Sequence, residues 1–123
     1  MDQGLSIVIP ALNEEENLPK LLEDLGNYFE SYEYEIILID DFSDKKLNEA
    51  LDISLYPNLV ISRNTFRLGQ SESIMNGINL ANFNTIGLID GDGQNPPSEL
   101  KKLYERYLKE NNNNETIIQK EYE

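Results

Sequence analysis

The chain has 123 residues, with 23 acidic and 10 basic side chains, a net charge of −13, no cysteine and no histidine. This length fits one domain, and the acidic balance argues against nucleic-acid binding and against a polybasic membrane anchor. Without cysteine or histidine there is no disulfide framework, imidazole base or zinc site, which removes most hydrolase mechanisms.

The first half of the chain alternates apolar and amphipathic segments. Residues 5–10 are rich in β-branched side chains and predict a first strand that stops at Pro10. Asn13 and Glu16 resemble a capping box for a helix whose apolar positions run from residue 18 to 29. Residues 34–40 predict a second strand that ends in acidic side chains, followed by a short helix over about residues 45–53.

The second half repeats the alternation. Residues 59–62 predict a third strand, residues 74–81 a helix, residues 86–89 a fourth strand and residues 98–110 a fourth helix. Four asparagines then break the helix pattern. We expect one unit over residues 1–110, followed at 111–123 by a flexible tail or by the truncated start of a further strand.

Strands that alternate with helices predict an α/β fold with a doubly wound, mostly parallel sheet, in the order 3-2-1-4. The switch point of that order lies between strands one and four, where ligands bind beyond the carboxyl ends of the strands. Residues 10–14 should therefore face residues 90–94 across a crevice, with Asp41 beside them. The flank of strand four should be an exposed edge, which favours self-association.

The segment after strand four carries alternating oxygen ligands. Asp90, Asp92 and Gln94 would point to one side of an extended chain, and Gly91 between the aspartates allows a close backbone approach. Oxygen ligands without nitrogen or sulfur suit Mg²⁺ or Mn²⁺. Clustered carboxylates are unfavourable by themselves, and a divalent cation with a phosphate ligand is the simplest relief.

Other interpretations of the same segment stay open. Asp-Gly repeats are ordinary turn chemistry, and an aspartate near Pro96 and Pro97 could cap the next helix. An EF-hand loop fails, because Asn95 and Lys101 stand where its glycine and bidentate glutamate belong. The segment also resembles the Asp-x-Asp motif of haloacid-dehalogenase phosphatases, in which Asp90 would be the nucleophile.

Four motifs together resemble family 2 glycosyltransferases of the GT-A fold, and within them the dolichol-phosphate mannose synthase type. They occur in the family's order and spacing over about residues 5–108. The motifs are Pro10-Ala11-Leu12-Asn13-Glu14, Asp40-Asp41-Phe42-Ser43-Asp44, Leu68-Gly69-Gln70-Ser71 with Gly77, and Asp90-Gly91-Asp92-Gly93-Gln94 before Asn95-Pro96-Pro97.

This resemblance implies a nucleotide-sugar site. It assigns the metal to Asp90, Asp92 and Gln94, on the diphosphate of a GDP- or UDP-linked sugar. The remaining cofactor-binding positions that it implies lie on three strand ends, and no catalytic residue is assigned. They are Pro10, Glu14, Ile39, Asp41, Gly91 and Leu12, the last of which stands where the family often has a base-stacking tyrosine.

The resemblance further implies transfer of the sugar to a polyprenyl phosphate, dolichyl or undecaprenyl. The oxygen of such an acceptor is already ionised, so no general base is needed. The family's catalytic domain is longer than this chain, so we expect an N-terminal half, cytoplasmic and peripheral at the membrane face. The alternative is a catalytically inactive nucleotide-binding remnant that keeps the same motifs.

Overall fold

The computed structural model describes residues 4–110 and, as backbone only, residues 116–119. Strands and helices alternate along the chain. The strands are β1 (Leu5–Ala11), β2 (Tyr34–Asp40), β3 (Leu59–Arg63), β4 (Thr85–Leu88) and β5 (Thr116–Gln119). The helices are α1 (Leu18–Phe29), α2 (Leu47–Ala50), α3 (Gln70–Leu80) and α4 (Pro97–Glu110), with a 3-10 turn at Ile53–Leu55.

The strands form one parallel sheet in the order β3-β2-β1-β4-β5. This confirms the predicted α/β class and the 3-2-1-4 order. The expectation that strand four would have an open flank is wrong, because β5 pairs with it in parallel from Thr116 beside Thr85. β5 is then the outer strand on that side of the sheet, and self-association stays a prediction. The boundary predicted at residue 110 stays a prediction, and residues 111–115 and 120–123 lie outside the described chain.

Both faces of the sheet are covered, which explains why its strands are apolar without strict alternation. Leu5, Ile7 and Ile9 of β1 point to one face and pack with side chains of α1 and α4. Val8 points to the other face, where α3 packs on β1 and β2. The two layers of helices hold the carboxyl ends of β1, β2 and β4 next to one another.

Two local predictions need correction. The first helix begins at Leu18, so Asn13 does not form the predicted capping box. Asn13 has a φ of 57°, and its side-chain contacts are those of a turn. The Asn13 side chain instead accepts a hydrogen bond from the Asp44 backbone N–H, and the Asn13 N–H donates to Ser43. The single short helix predicted over residues 45–53 is divided into α2 and the 3-10 turn.

Candidate functional site

A cleft of about 320 Å³ opens at the carboxyl edge of the sheet, at the switch point between β1 and β4. Side chains and backbone from the ends of β1 and β2, the start of α3 and the segment after β4 form its walls. Its lining residues are Pro10, Ala11, Leu12, Glu14, Asp41, Gly69, Gln70, Ser73, Asp90, Gly91 and Asp92.

The end of β1 and the segment after β4 touch directly at Gly91. A β-carbon at this position would lie 3.1 Å from Ala11 Cβ and 3.3 Å from the carbonyl oxygen of Pro10. A side chain here would push the two segments apart by a few tenths of an ångström, so glycine favours the close approach of Asp90 and Asp92 to the end of β1. Glu14 lies at the same contact and accepts a hydrogen bond from the Asn17 side chain at 2.7 Å.

Asp41, the first residue after β2, is buried and accepts three hydrogen bonds. Its Oδ1 accepts from Asn64 Nδ2 at 2.9 Å and from the Leu68 N–H at 2.8 Å, and its Oδ2 accepts from the Gly69 N–H at 3.0 Å. Burial by itself would raise the pKa of Asp41, but these hydrogen bonds outweigh it and hold the pKa below its ordinary value. Asp41 is therefore ionised, and its carboxylate holds the loop before α3 in place.

Asp40 is more deeply enclosed and does not line the cleft. It accepts hydrogen bonds from the backbone N–H groups of Ser43 and Leu47, and it pairs with Arg63 at 2.9 Å. Burial would raise the pKa of Asp40, but those donors lower it on balance. The Arg63 guanidinium also covers the ring of Phe42, 4.5 Å from its centre.

The two aspartates after β4 have fewer partners inside the protein. Asp90 accepts one hydrogen bond on each oxygen, from Gln70 Nε2 at 3.0 Å and from Asn95 Nδ2 at 3.3 Å. Asp92 accepts one, from the Gln94 N–H at 3.0 Å. Because a carboxylate offers about four lone-pair sites, both side chains keep acceptor capacity at the cleft.

Most of the residues predicted for the site line this cleft, and two do not. Pro10, Leu12, Glu14, Asp41, Gly91, Asp90 and Asp92 lie in its wall. Ile39 is fully buried in the core beneath α3, because its side chain points into the sheet face and not to the strand end. Gln94 is exposed and is not among the residues that line the cleft, so its assignment to the metal stays a prediction.

The oxygen ligands that the cleft offers can be compared with those that a divalent cation requires. Within residues 4–110, no group of three or more acidic side chains converges on a point that could hold a metal. Mg²⁺ is, however, often bound through one or two carboxylates together with substrate phosphates and water. Asp90 and Asp92, adjacent in one wall and with open lone pairs, fit that second arrangement.

The arginines near the cleft are already engaged. Arg67 pairs with Asp44 at 2.9 Å and donates to the carbonyl oxygen of Phe42, while Arg63 is committed to Asp40. These contacts hold the turn after β2 against the loop after β3. Both arginines therefore serve first to position the acidic turn.

Sequence reasoning did not assign Gly69, Gln70 and Ser73 to the site, although all three line the cleft. Gly69 and Gln70 belong to the Leu68-Gly69-Gln70-Ser71 motif, to which the resemblance assigns no binding role. Their position just after β3, at the start of α3, places them on the same carboxyl edge as the acidic residues. That rule of topology was the signal that could have identified them.

A cleft beyond the strand ends at the switch point is where doubly wound α/β sheets bind their ligands. A family model described as "Glycosyl transferase family 2" matches residues 6–119, nearly the whole chain. The chain belongs to the family 2 glycosyltransferases.

Curated relatives agree with this assignment. An undecaprenyl-phosphate 4-deoxy-4-formamido-L-arabinose transferase from Proteus mirabilis is 40% identical over 107 residues, covering 80% of this chain and 32% of that protein. A dolichol-phosphate mannosyltransferase from Pyrococcus furiosus is 36% identical over 103 residues, covering 82% and 29%. The chain thus spans about a third of these relatives and matches their N-terminal part.

Solved structures support the fold. Residues 1–349 of Staphylococcus aureus TarS superpose with a TM-score of 0.69 at 20% identity, covering 86% of this chain and 32% of that one. A mannosyltransferase from Pyrobaculum calidifontis, in complex with GDP-mannose and Mn²⁺, gives a TM-score of 0.64 at 18% identity, covering 75% and 28%. Among the described helices, none has the length and apolar character needed to cross a membrane.

Proposed function

We propose that the cleft binds the nucleotide-diphosphate part of a sugar donor, as the donor half of a glycosyltransferase that acts on a polyprenyl phosphate. The carrying observation is that Asp90 and Asp92 face the end of β1 across one cleft in a chain of this family. The cleft is acidic, so a diphosphate alone would be repelled there. Asp90 and Asp92 would hold a divalent cation there, whose charge would offset that repulsion.

Each wall of the cleft would have its own task. Asp90 and Asp92 would hold Mg²⁺ or Mn²⁺ from the β4 side. Such a metal, when bound, acts as a Lewis acid that stabilises charge on the leaving diphosphate. Pro10, Leu12 and Glu14 would contact the nucleoside from the β1 side, where Leu12 is 38% exposed and offers an apolar surface.

Asp41 would act at the nucleoside end of the cleft in a different way. Three of its acceptor positions are filled by Asn64, Leu68 and Gly69, so its first effect is to shape the wall. Its second oxygen accepts a single hydrogen bond and has room for one from a nucleoside N–H or hydroxyl group. Gln94 does not line the cleft and has no role in this proposal.

The acceptor is proposed from the relatives and from the chemistry available. The named relatives act on undecaprenyl phosphate or dolichol phosphate. A phosphate oxygen is already ionised, so the acceptor would need positioning but no general base. Such a lipid acceptor would place the cleft at a membrane face.

Calorimetric titration with GDP and UDP, each with Mn²⁺ and with excess chelator, tests the donor half of this proposal. We expect binding with Mn²⁺ and at least about tenfold weaker binding in chelator, because one charge-neutralising contact at such a site contributes on the order of 1.4 kcal/mol or more. The nucleoside that binds more tightly identifies the donor class.

Equal affinities with and without the metal would contradict the metal bridge. Binding of neither nucleotide under both conditions would contradict the donor site itself. Metal-dependent nucleotide binding by this chain without sugar transfer, under conditions in which a full-length relative does transfer sugar, would instead support the inactive nucleotide-binding remnant.

A further inference from the structure

Asp90 is held from both sides by side-chain amides, although its position at the cleft leaves it open to ligands. Gln70 Nε2 donates to Oδ1 at 3.0 Å and Asn95 Nδ2 donates to Oδ2 at 3.3 Å. Asn95 is buried, whereas Gln70 is exposed at the cleft wall. The two donors come from different parts of the fold, the start of α3 and the loop before α4.

Gln70 is itself fixed by the loop that precedes it. Asp41 accepts the N–H groups of Leu68 and Gly69, and Gly69 adopts a φ of 94°, which a side chain would disfavour. The Gly69 carbonyl oxygen accepts from the Ser73 N–H, which begins the α3 helix. The backbone at Gln70 is therefore held in place, and this limits the positions that its side-chain amide can reach.

One short loop thus connects the two acidic walls of the cleft. Its backbone is bound to Asp41 after β2, and its next side chain is bound to Asp90 after β4. A carboxylate that accepts one hydrogen bond per oxygen still has lone pairs for a cation. Hydrogen bonds of this kind orient metal-ligating side chains and typically influence metal affinity 10- to 100-fold.

We propose that Gln70 is a positioning residue for Asp90, which it holds in the orientation that binds the divalent cation; this inference rests on the proposed function. Gln70 orients the Asp90 carboxylate from the exposed side, and Asn95 orients it from the buried side. Gln70 touches neither the cation nor the diphosphate. Its effect is therefore confined to the part of nucleotide affinity that depends on the metal.

The test is the ratio of nucleotide affinity in Mn²⁺ to nucleotide affinity in chelator, measured by calorimetry on the full chain with whichever of GDP and UDP binds more tightly. Gln70→Met keeps the length of the side chain and its helix propensity but removes the donor. We expect this ratio to fall about tenfold, with the affinity in chelator and the thermal midpoint of the free protein unchanged. Asn79→Leu, which removes an exposed amide at the far end of α3, is the control and should keep the ratio.

A double-mutant cycle with Asp90→Asn shows whether Gln70 acts through Asp90. Gln70→Met should have no further effect on the ratio once Asp90 is replaced. An equal loss of affinity with metal and with chelator would mean that Gln70 contacts the nucleotide, and it would overturn the inference. An unchanged ratio in Gln70→Met would also overturn it, while a wild-type ratio of one would refute the proposed function instead.

Discussion

The two carboxylates at the end of β2 and the two after β4 stand at the same edge of one sheet, but they differ in how many hydrogen-bond donors the protein gives them. Asp40 and Asp41 each accept three hydrogen bonds, and backbone N–H groups contribute to both sets. Asp90 accepts two, both from side chains, and Asp92 accepts one. The first pair mainly builds the site, and the second pair is left able to bind a ligand.

Residue type alone does not separate these roles, since all four are aspartates at strand ends. The number of hydrogen-bond donors that the protein supplies does separate the two roles, because each donor occupies a lone pair of the carboxylate and fixes the side chain. This comparison predicts large effects on stability for the β2 carboxylates and large effects on ligand binding for the β4 carboxylates.

Asp41→Ala should give the largest change in stability. The substitution leaves the N–H groups of Leu68 and Gly69 and the amide of Asn64 without their acceptor, which should cost about 2–4 kcal/mol of the free energy of unfolding. Urea denaturation measures the loss. Asp44→Ala in the same turn removes only a solvent-exposed ion pair with Arg67, so it should cost roughly 0.5 kcal/mol or less. Similar losses for the two variants would remove the proposed difference between them.

The hydrogen bonds to Asp41 should also make the free energy of unfolding depend on pH, although this effect should be smaller than the loss in Asp41→Ala. The pKa of Asp41 is lower in the folded chain than its ordinary value of 3.8, so its stabilising contribution is complete above that value. The contribution is lost as the pH falls through the folded pKa. The free energy of unfolding should therefore fall less steeply in Asp41→Asn than in the wild type below about pH 4.

Urea titrations at pH 3, 4, 6 and 7 provide the measurement. Between pH 6 and 7 the carboxylate is ionised in both folded and unfolded chains, so the two profiles should run parallel there. Parallel profiles down to pH 3 would mean that the hydrogen bonds of Asp41 do not favour its charged form.

The fold and the general place of the site could be predicted because both follow from patterns close in sequence. Apolar runs defined the strands, and the order 3-2-1-4 placed residues 10–14 opposite residues 90–94. The position of β5 beside β4 could not be settled in this way, since the short run at 116–119 has little local signal.

The partners of individual side chains could not be predicted, because they come from distant parts of the chain. Asn13 looked like a helix cap, but its partners are Ser43 and Asp44, about 30 positions away. Gln70 had no local reason to be assigned to the site, and its contact with Asp90 spans 20 positions. Ile39 lies at a strand end by sequence, but the pleat turns its side chain into the core.

The metal-dependent part of the affinity for the tighter-binding nucleotide, GDP or UDP, compared among three variants, tests the central claim most directly. Asp92→Asn should reduce the ratio of affinity in Mn²⁺ to affinity in chelator to about one, a loss on the order of tenfold or more. Asp40→Asn, at a buried carboxylate outside the cleft, and Glu16→Gln, at an exposed one, should keep the wild-type ratio. If Asp92→Asn keeps the wild-type ratio, then the carboxylates after β4 are not the ones that bind the metal.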